Sequence, residues 1–168
     1  MTDTAPGYTF HQLSEDDLTL FKALLRLFGE AFDDLPTYQD AVPSDGYLAR
    51  LLAGSQFIAL TAISGDDVVG GLAAYELMKF ERERSEIYIY DLAVAENHRR
   101  RGVATGLIEA LQRIASERGA YVIFVQADPP DAPAVALYEG LGTREEVYHY
   151  DIAVGEGSGS GHPPRRQG

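Results

Sequence analysis

Apolar residues change their spacing several times along the chain, and each change marks an element. Tyr8 to Leu13 alternates with period two and predicts a strand. Leu18, Phe21, Leu24, Leu25 and Phe28 then fall on one helical face, with Ser14 as the expected N-cap. The polar, proline-bearing DDLPTYQDAVPSD predicts a loop, and Ser44 is placed to cap a short helix ending near Ala53. Gln56 to Ser64 and Val68 to Tyr75 are apolar runs joined by Gly65-Asp66-Asp67, which predicts a hairpin. A charged connection from Phe80 to Ser85 leads into a strand from Glu86 to Val94. A helix from Gly102 to Arg118 is closed by Gly119, followed by a strand from Tyr121 to Ala127. DPPDAP predicts a turn, with Pro133 opening a short helix that ends near Gly140 or Gly142. Arg144 to Ala153 alternates again and predicts a final strand.

This order, β-α-α-β-β-β-α-β-α-β, predicts an α/β sandwich with a mixed, mostly antiparallel sheet flanked by helices on both faces. The β-α-β step over residues 86–127 is expected to cross over in the right-handed sense. Residues 1–154 read as one domain, and residues 155–168, GEGSGSGHPPRRQG, have the composition of a disordered tail.

Charge and composition narrow the function. Twenty-six acidic against fourteen basic residues give a net charge of −12, which favours a cationic partner over nucleic acid. Without cysteine there is no disulfide, thiolate metal site or cysteine nucleophile, and His11, His98 and His149 have no metal-ligand spacing, so no metal is expected. The N-terminus lacks a signal-peptide pattern, and no apolar run approaches the roughly 20 residues needed to span a bilayer. A cytoplasmic protein without a membrane partner is the expectation.

Against that acidic background, Arg99, Arg100 and Arg101 stand together at a helix start, in the pattern Arg99-x-x-Gly102-x-Ala104. Cations are unfavourable beside the positive end of a helix dipole unless an anion joins them. Unpaired N–H groups there, with Gly102 allowing close approach, suit a phosphate or pyrophosphate. The spacing matches neither a Walker A loop nor the GxGxxG dinucleotide fingerprint.

With HRRRGVAT after the Glu86–Val94 strand and ALYEGLG in the later helix, residues 8 to 153 resemble the GNAT superfamily of acetyl-CoA-dependent N-acetyltransferases. SEIYIYDLAV, GAYVIFVQAD, DAPAVALY and LGTREEVYHYDI are similar, in order, to the aminoglycoside 3-N-acetyltransferases of the gentamicin-resistance type. That resemblance implies acetyl-CoA as acetyl donor, its pantetheine arm beside Tyr90 to Val94. It implies that backbone N–H groups of Leu92, Ala93 and Val94 contact the acetyl carbonyl. Those of Arg99, Arg100, Arg101, Gly102, Val103, Ala104 and Thr105 would cradle the pyrophosphate. Tyr138 matches the tyrosine that protonates the departing thiolate, although a tyrosine at that place in a helix also suits packing.

The proton acceptor is open between Glu86, Asp128 and Asp151, each equally suited to substrate binding. A regular strand would put Glu86, Tyr88 and Tyr90 on one face and Asp91 on the other. For a polycationic acceptor the available carboxylates are Asp33, Asp34, Asp128, Asp131, Glu145, Glu146 and Asp151. Regular alternation in the last strand places Glu145, Val147, His149 and Asp151 on one face. Tyr88, Tyr148 and Tyr150 suit either packing on sugar rings or pairing across strands. Acetyl transfer to the 3-amine of an aminoglycoside, giving resistance, is the leading expectation, and the resemblance leaves room for a homodimer. A polyamine or protein amine as acceptor is the alternative within the superfamily. A non-catalytic acyl-CoA-binding regulator is the alternative outside catalysis.

Overall fold

The computed structural model describes residues 3–5 and 7–155, so the tail expected from residue 155 lies outside the described residues except for Gly155. The chain divides into two units, one through Gln126 and one from Ala127.

In the first unit a six-stranded sheet runs in sequence order: β1 (Asp3–Ala5), β2 (Tyr8–Gln12), β3 (Phe57–Ser64), β4 (Asp67–Met78), β5 (Ser85–Val94) and β6 (Ala120–Val125). Neighbours are antiparallel except β5 and β6, which are parallel as a β-α-β step requires. The expected mixed, mostly antiparallel sheet is therefore present. β1 was not expected, because three residues carry too little periodicity to be read. Gly65, at φ +61, turns the β3–β4 hairpin where predicted, with Ser64 opposite Asp67.

Helices cover both faces. α1 (Leu18–Ala31) and α2 (Asp45–Ala53) lie in the first half of the unit, with a π-helical turn at Pro36–Asp40 between them, and α3 (Val103–Arg118) joins β5 to β6. Adjacent glycines of β4 show how close the helices come. A Cβ at Gly70 would lie 2.9 Å from Val103 of α3, and one at Gly71 would run into Leu24 of α1. Successive strand residues point to opposite faces, so α1 and α3 sandwich the sheet. Leu24, Phe28, Leu48, Phe57 and Ala73 are buried on the α1–α2 side, while Leu107 and Leu111 of α3 are fully buried.

Ser44 caps α2 as expected, its Oγ accepting from the Tyr47 N–H at 3.2 Å. Ser14 does not cap α1. The cap position is Asp17, whose carboxylate turns back to accept from the Ser14 N–H and Oγ and to meet His11. Burial opposes the charged form of Asp17, but the hydrogen bonds from Ser14 and His11 hold its pKa below the usual value.

The second unit carries α4 (Ala132–Glu139), capped by Asp131, whose Oδ1 accepts from the Ala134 N–H at 3.2 Å. The expected strand from Arg144 to Ala153 is absent; these residues are irregular and exposed. Alternation prepares a segment for a ladder but supplies no partner, and no strand among the described residues pairs with it. The shared face drawn for Glu145, Val147, His149 and Asp151 loses its basis with that strand.

Candidate active site

β4 and β5 pair regularly from Met78 and Ser85 up to Ala74 and Ile89. The next pair is Ala73 with Asp91: one step along β4 against two along β5, with Tyr90 as the extra residue. This is a β-bulge, and it reverses the facing of everything beyond it. Tyr88 stands opposite Tyr75, and Asp91 opposite Ala73, two residues along the same strand. Asp91 therefore shares the face of Glu86 and Tyr88, contrary to regular alternation. The π-helical turn sets a buried side chain against it: the Tyr38 hydroxyl donates to Asp91 Oδ2 at 3.0 Å.

The bulge also falls where β6 stops pairing. The parallel ladder ends at Ile89 with Val125, so beyond it no strand among the described residues covers the outer edge of β5. Leu92 to Val94 lie along that edge, and the side chains of Ala93 and Val94 are buried. The chain then turns through a 3-10 turn at Glu96–His98 into the three arginines.

Two side-chain contacts fix this turn. Arg99 Nε donates to the Val94 carbonyl at 3.1 Å, and the hydroxyl of buried Tyr8 lies 3.1 Å from His98 Nδ1. Arg100 (φ +59) and Gly102 (φ +80) are both left-handed, a conformation that costs an arginine about 1 kcal/mol or more. Gly102 is the N-cap of α3 and no side chain caps the helix, so the leading N–H groups of Val103, Ala104 and Thr105 have no side-chain acceptor. Arg100 and Arg101 are exposed. An open strand edge leading to an uncapped helix start suits a long ligand with an amide-bearing arm and a pyrophosphate.

The remaining expected residues separate. Glu86 accepts a hydrogen bond from the Tyr121 hydroxyl and lies 3.4 Å from Lys79 Nζ. Tyr121 above all, with Lys79 adding to it against some desolvation, holds the Glu86 pKa below the usual range. Tyr88 donates to Gln126 Oε1 at 3.1 Å. Asp33 follows α1 at φ +51, and Asp34 Oδ1 accepts from the Thr37 N–H at 3.3 Å.

In the second unit Tyr138 is half-buried in α4, and burial first, then the charge of Asp131, raises its pKa to about 12. Asp128 is exposed, and its carbonyl accepts from the Asp131 N–H at 2.9 Å. His149 Nε2 and Asp151 Oδ1 lie 3.0 Å apart in the open, with Glu145, Tyr148 and Tyr150 exposed nearby in sequence. Glu146 is 3.6 Å from Arg144. The Asp91–Tyr38 pair is what sequence pattern did not single out. The only signal for Asp91 is its place after YIY, and nothing there announces a bulge.

The family profile described as "Acetyltransferase (GNAT) family" matches residues 19–143. The crystal structure of an aminoglycoside acetyltransferase from an uncultured soil metagenomic sample is 59% identical, with a TM-score of 0.87 over 88% of this chain and 99% of that one. A second such enzyme from an uncultured soil sample, in complex with sisomicin, is 32% identical, with a TM-score of 0.82 over 89% and 97%. N-acetyltransferase 8B of Rattus norvegicus is 30% identical over 89 residues, and the match spans 53% of this chain but only 40% of that protein.

Proposed function

Because the chain belongs to the GNAT acetyltransferase family, we propose that it transfers the acetyl group of acetyl-CoA to the 3-amine of an aminoglycoside. The observation that carries the acetyl-CoA half is the end of the β5–β6 ladder at Ile89 and Val125, which among the described residues leaves Leu92 to Val94 of β5 without a neighbouring strand on that side, just before the start of α3. The pantetheine amides pair along that edge as an added strand. The pyrophosphate meets the N–H groups from Arg99 to Thr105, with the arginine charges beside it. The acceptor half rests on the 59% and 32% identities to aminoglycoside acetyltransferases and on the acidic charge of the chain. The 3-position rests on the four sequence blocks.

In this reading the amine attacks the thioester carbonyl directly. A carbon–nitrogen bond forms, the negative charge moves to the carbonyl oxygen, and collapse expels the CoA thiolate. Backbone N–H groups at Leu92 to Val94 stabilise that oxygen. An amine of pKa near 10.4 costs roughly 4 to 5 kcal/mol to deprotonate at pH 7, and in this reading a carboxylate, or a water it holds, takes the proton. Asp91 is our assignment, since the bulge turns it to the face of Glu86 and Tyr88, next to Leu92 to Val94, and the Tyr38 hydroxyl donates to it. Glu86 and Asp151, the carboxylates expected from sequence, become charge partners of the drug in this scheme. Glu86 stands where β5 is still paired with β6, and Lys79 lies 3.4 Å from it. Asp33, Asp34, Asp128, Asp131, Glu145 and Glu146 are further candidates for the drug's ammonium groups. Tyr138 gives its proton to the thiolate, and a pKa of about 12 keeps that proton available throughout the working range.

Measuring thiol release from acetyl-CoA with aminoglycosides, polyamines and peptides as acceptors tests this reading. Turnover is expected with gentamicin-like drugs. Efficient turnover of only polyamines or peptides would overturn the acceptor, and no turnover with any amine would favour an acyl-CoA-binding regulator.

A further inference from the structure

Four aromatic residues occupy one register row across four strands. Phe57 of β3 stands opposite Tyr75 of β4, Tyr75 opposite Tyr88 of β5, and Tyr88 opposite Phe124 of β6. Their ring centroids are 5.3 Å apart for Phe57 and Tyr75 and 4.9 Å for Tyr88 and Phe124, whose planes differ by 6°. Tyr90, the residue inserted by the bulge, closes the gap between the two pairs. It meets Tyr75 at 5.9 Å and Tyr88 at 5.7 Å, edge-on to both. The row starts in the core and runs out of it: Phe57 is 7% exposed, Tyr75 36%, Tyr90 38% and Phe124 37%.

Cross-strand pairing alone explains two rings in contact. It does not explain a bulge that adds a fifth ring between Tyr75 and Tyr88, immediately before the Asp91 carboxylate. A bulge interrupts a ladder and re-aims a side chain, and here the re-aimed pair is an aromatic face and an anion.

From this we infer that Tyr75, Tyr88, Tyr90 and Phe124 form a stacking floor for one ring of the acceptor, which sets the reacting amine beside Asp91 at its rim. The C–H face of an amino-sugar or aminocyclitol ring is electropositive and flat, and it packs on the negative faces of aromatic rings. Its ammonium groups add attraction to those faces and to the carboxylate. A linear polyamine supplies the charge but no ring face. The floor thus selects cyclic polycations over linear ones, and the inference rests on the acceptor class proposed above while adding the residues that choose it.

The test compares gentamicin, spermidine and acetyl-CoA by calorimetry and by steady-state kinetics, with the wild-type protein and Tyr90→Leu, Tyr90→Phe and Phe124→Leu variants. Loss of one aromatic face should weaken gentamicin about tenfold in Kd and KM. Tyr90→Phe should restore it, spermidine should shift by less than about twofold in every variant, and acetyl-CoA by less than about twofold in Phe124→Leu. Urea unfolding identifies any variant that fails to fold, and Phe124→Leu, on another strand, then carries the test. Unchanged gentamicin affinity in both leucine variants overturns the floor while leaving the acceptor class standing. Equal loss for spermidine also overturns it, because the effect would then be electrostatic. A wild-type protein that neither binds nor acetylates gentamicin overturns the acceptor class, and the floor falls with it.

Discussion

Asp91 owes its facing to a single inserted residue, and as the proposed proton acceptor its carboxylate is the most direct single-residue target. Asp91→Asn keeps the shape and the Tyr38 contact but removes the proton acceptor, so kcat should fall about 10²- to 10⁴-fold. Activity should partly recover at high pH, where more of the amine is already neutral. A raised KM with unchanged kcat in the variant would make Asp91 a binding group instead. Tyr138 predicts a different pH signature. An ordinary phenol begins to ionise near pH 10, but burial and the Asp131 charge push this one to about 12. Its proton-donating form is therefore retained as pH rises through 10, and kcat should show no descending limb below about pH 11 that Tyr138→Phe abolishes. A descending limb centred near pH 10 in wild type, lost in Tyr138→Phe, would contradict the raised pKa.

At the level of elements, the turn from β5 to α3 is predicted to hold acetyl-CoA through backbone rather than side chains. Gly102 at φ +80 has open space around its Cβ position, so Gly102→Ala clashes with nothing in the protein yet strains the backbone that presents the N–H groups. Acetyl-CoA affinity, measured by calorimetry, should fall more than stability measured by urea unfolding, and Gly102→Val should lose more of both. At the other end of the sheet, α3 is tied down by a buried carboxylate. Glu76, 8% exposed, accepts from Ser85 Oγ at 2.6 Å and Arg118 Nη1 at 2.8 Å, and the same arginine reaches the Ser55 carbonyl. Arg118→Ala strands that carboxylate and should cost about 3 kcal/mol in urea unfolding. The hairpin at Gly65, the Ser44 cap, α3 with its Gly119 end and the arginine turn were all legible in sequence, because each is set by neighbours within one turn or two strands. The bulge was not, since it depends on how β5 registers against Ala73 and Ala74 of another strand. Neither was the fate of Arg144 to Ala153, whose alternation is that of a strand but which has no ladder to join among the described residues. Asp17 misled for a third reason. Its side chain found Ser14 and His11, so the residue expected as cap became the donor to the true cap position.

For the molecule as a whole, the net charge of −12 sets up attraction to a polycation and repulsion of the proposed polyanionic donor, which the three clustered arginines offset locally. Exposed charges are screened by salt, so raising ionic strength from about 0.05 M to about 0.5 M should raise KM for the drug. Invariance of that KM would assign the affinity to buried or stacked contacts instead. Among the described residues, no helix is long and apolar enough to cross a membrane, and no group of His, Asp or Glu side chains has the arrangement of a metal site. The acceptor atom is the part of the account most exposed to refutation, since several amines of one drug compete for the same acetyl group. Acetylating gentamicin with the purified protein and locating the new amide by NMR tests it directly. The account predicts a single acetyl group on the 3-amine of the central aminocyclitol ring. An acetyl group on the 6′-amine, or no acetylated drug from a protein that acetylates polyamines or peptides well, would contradict it.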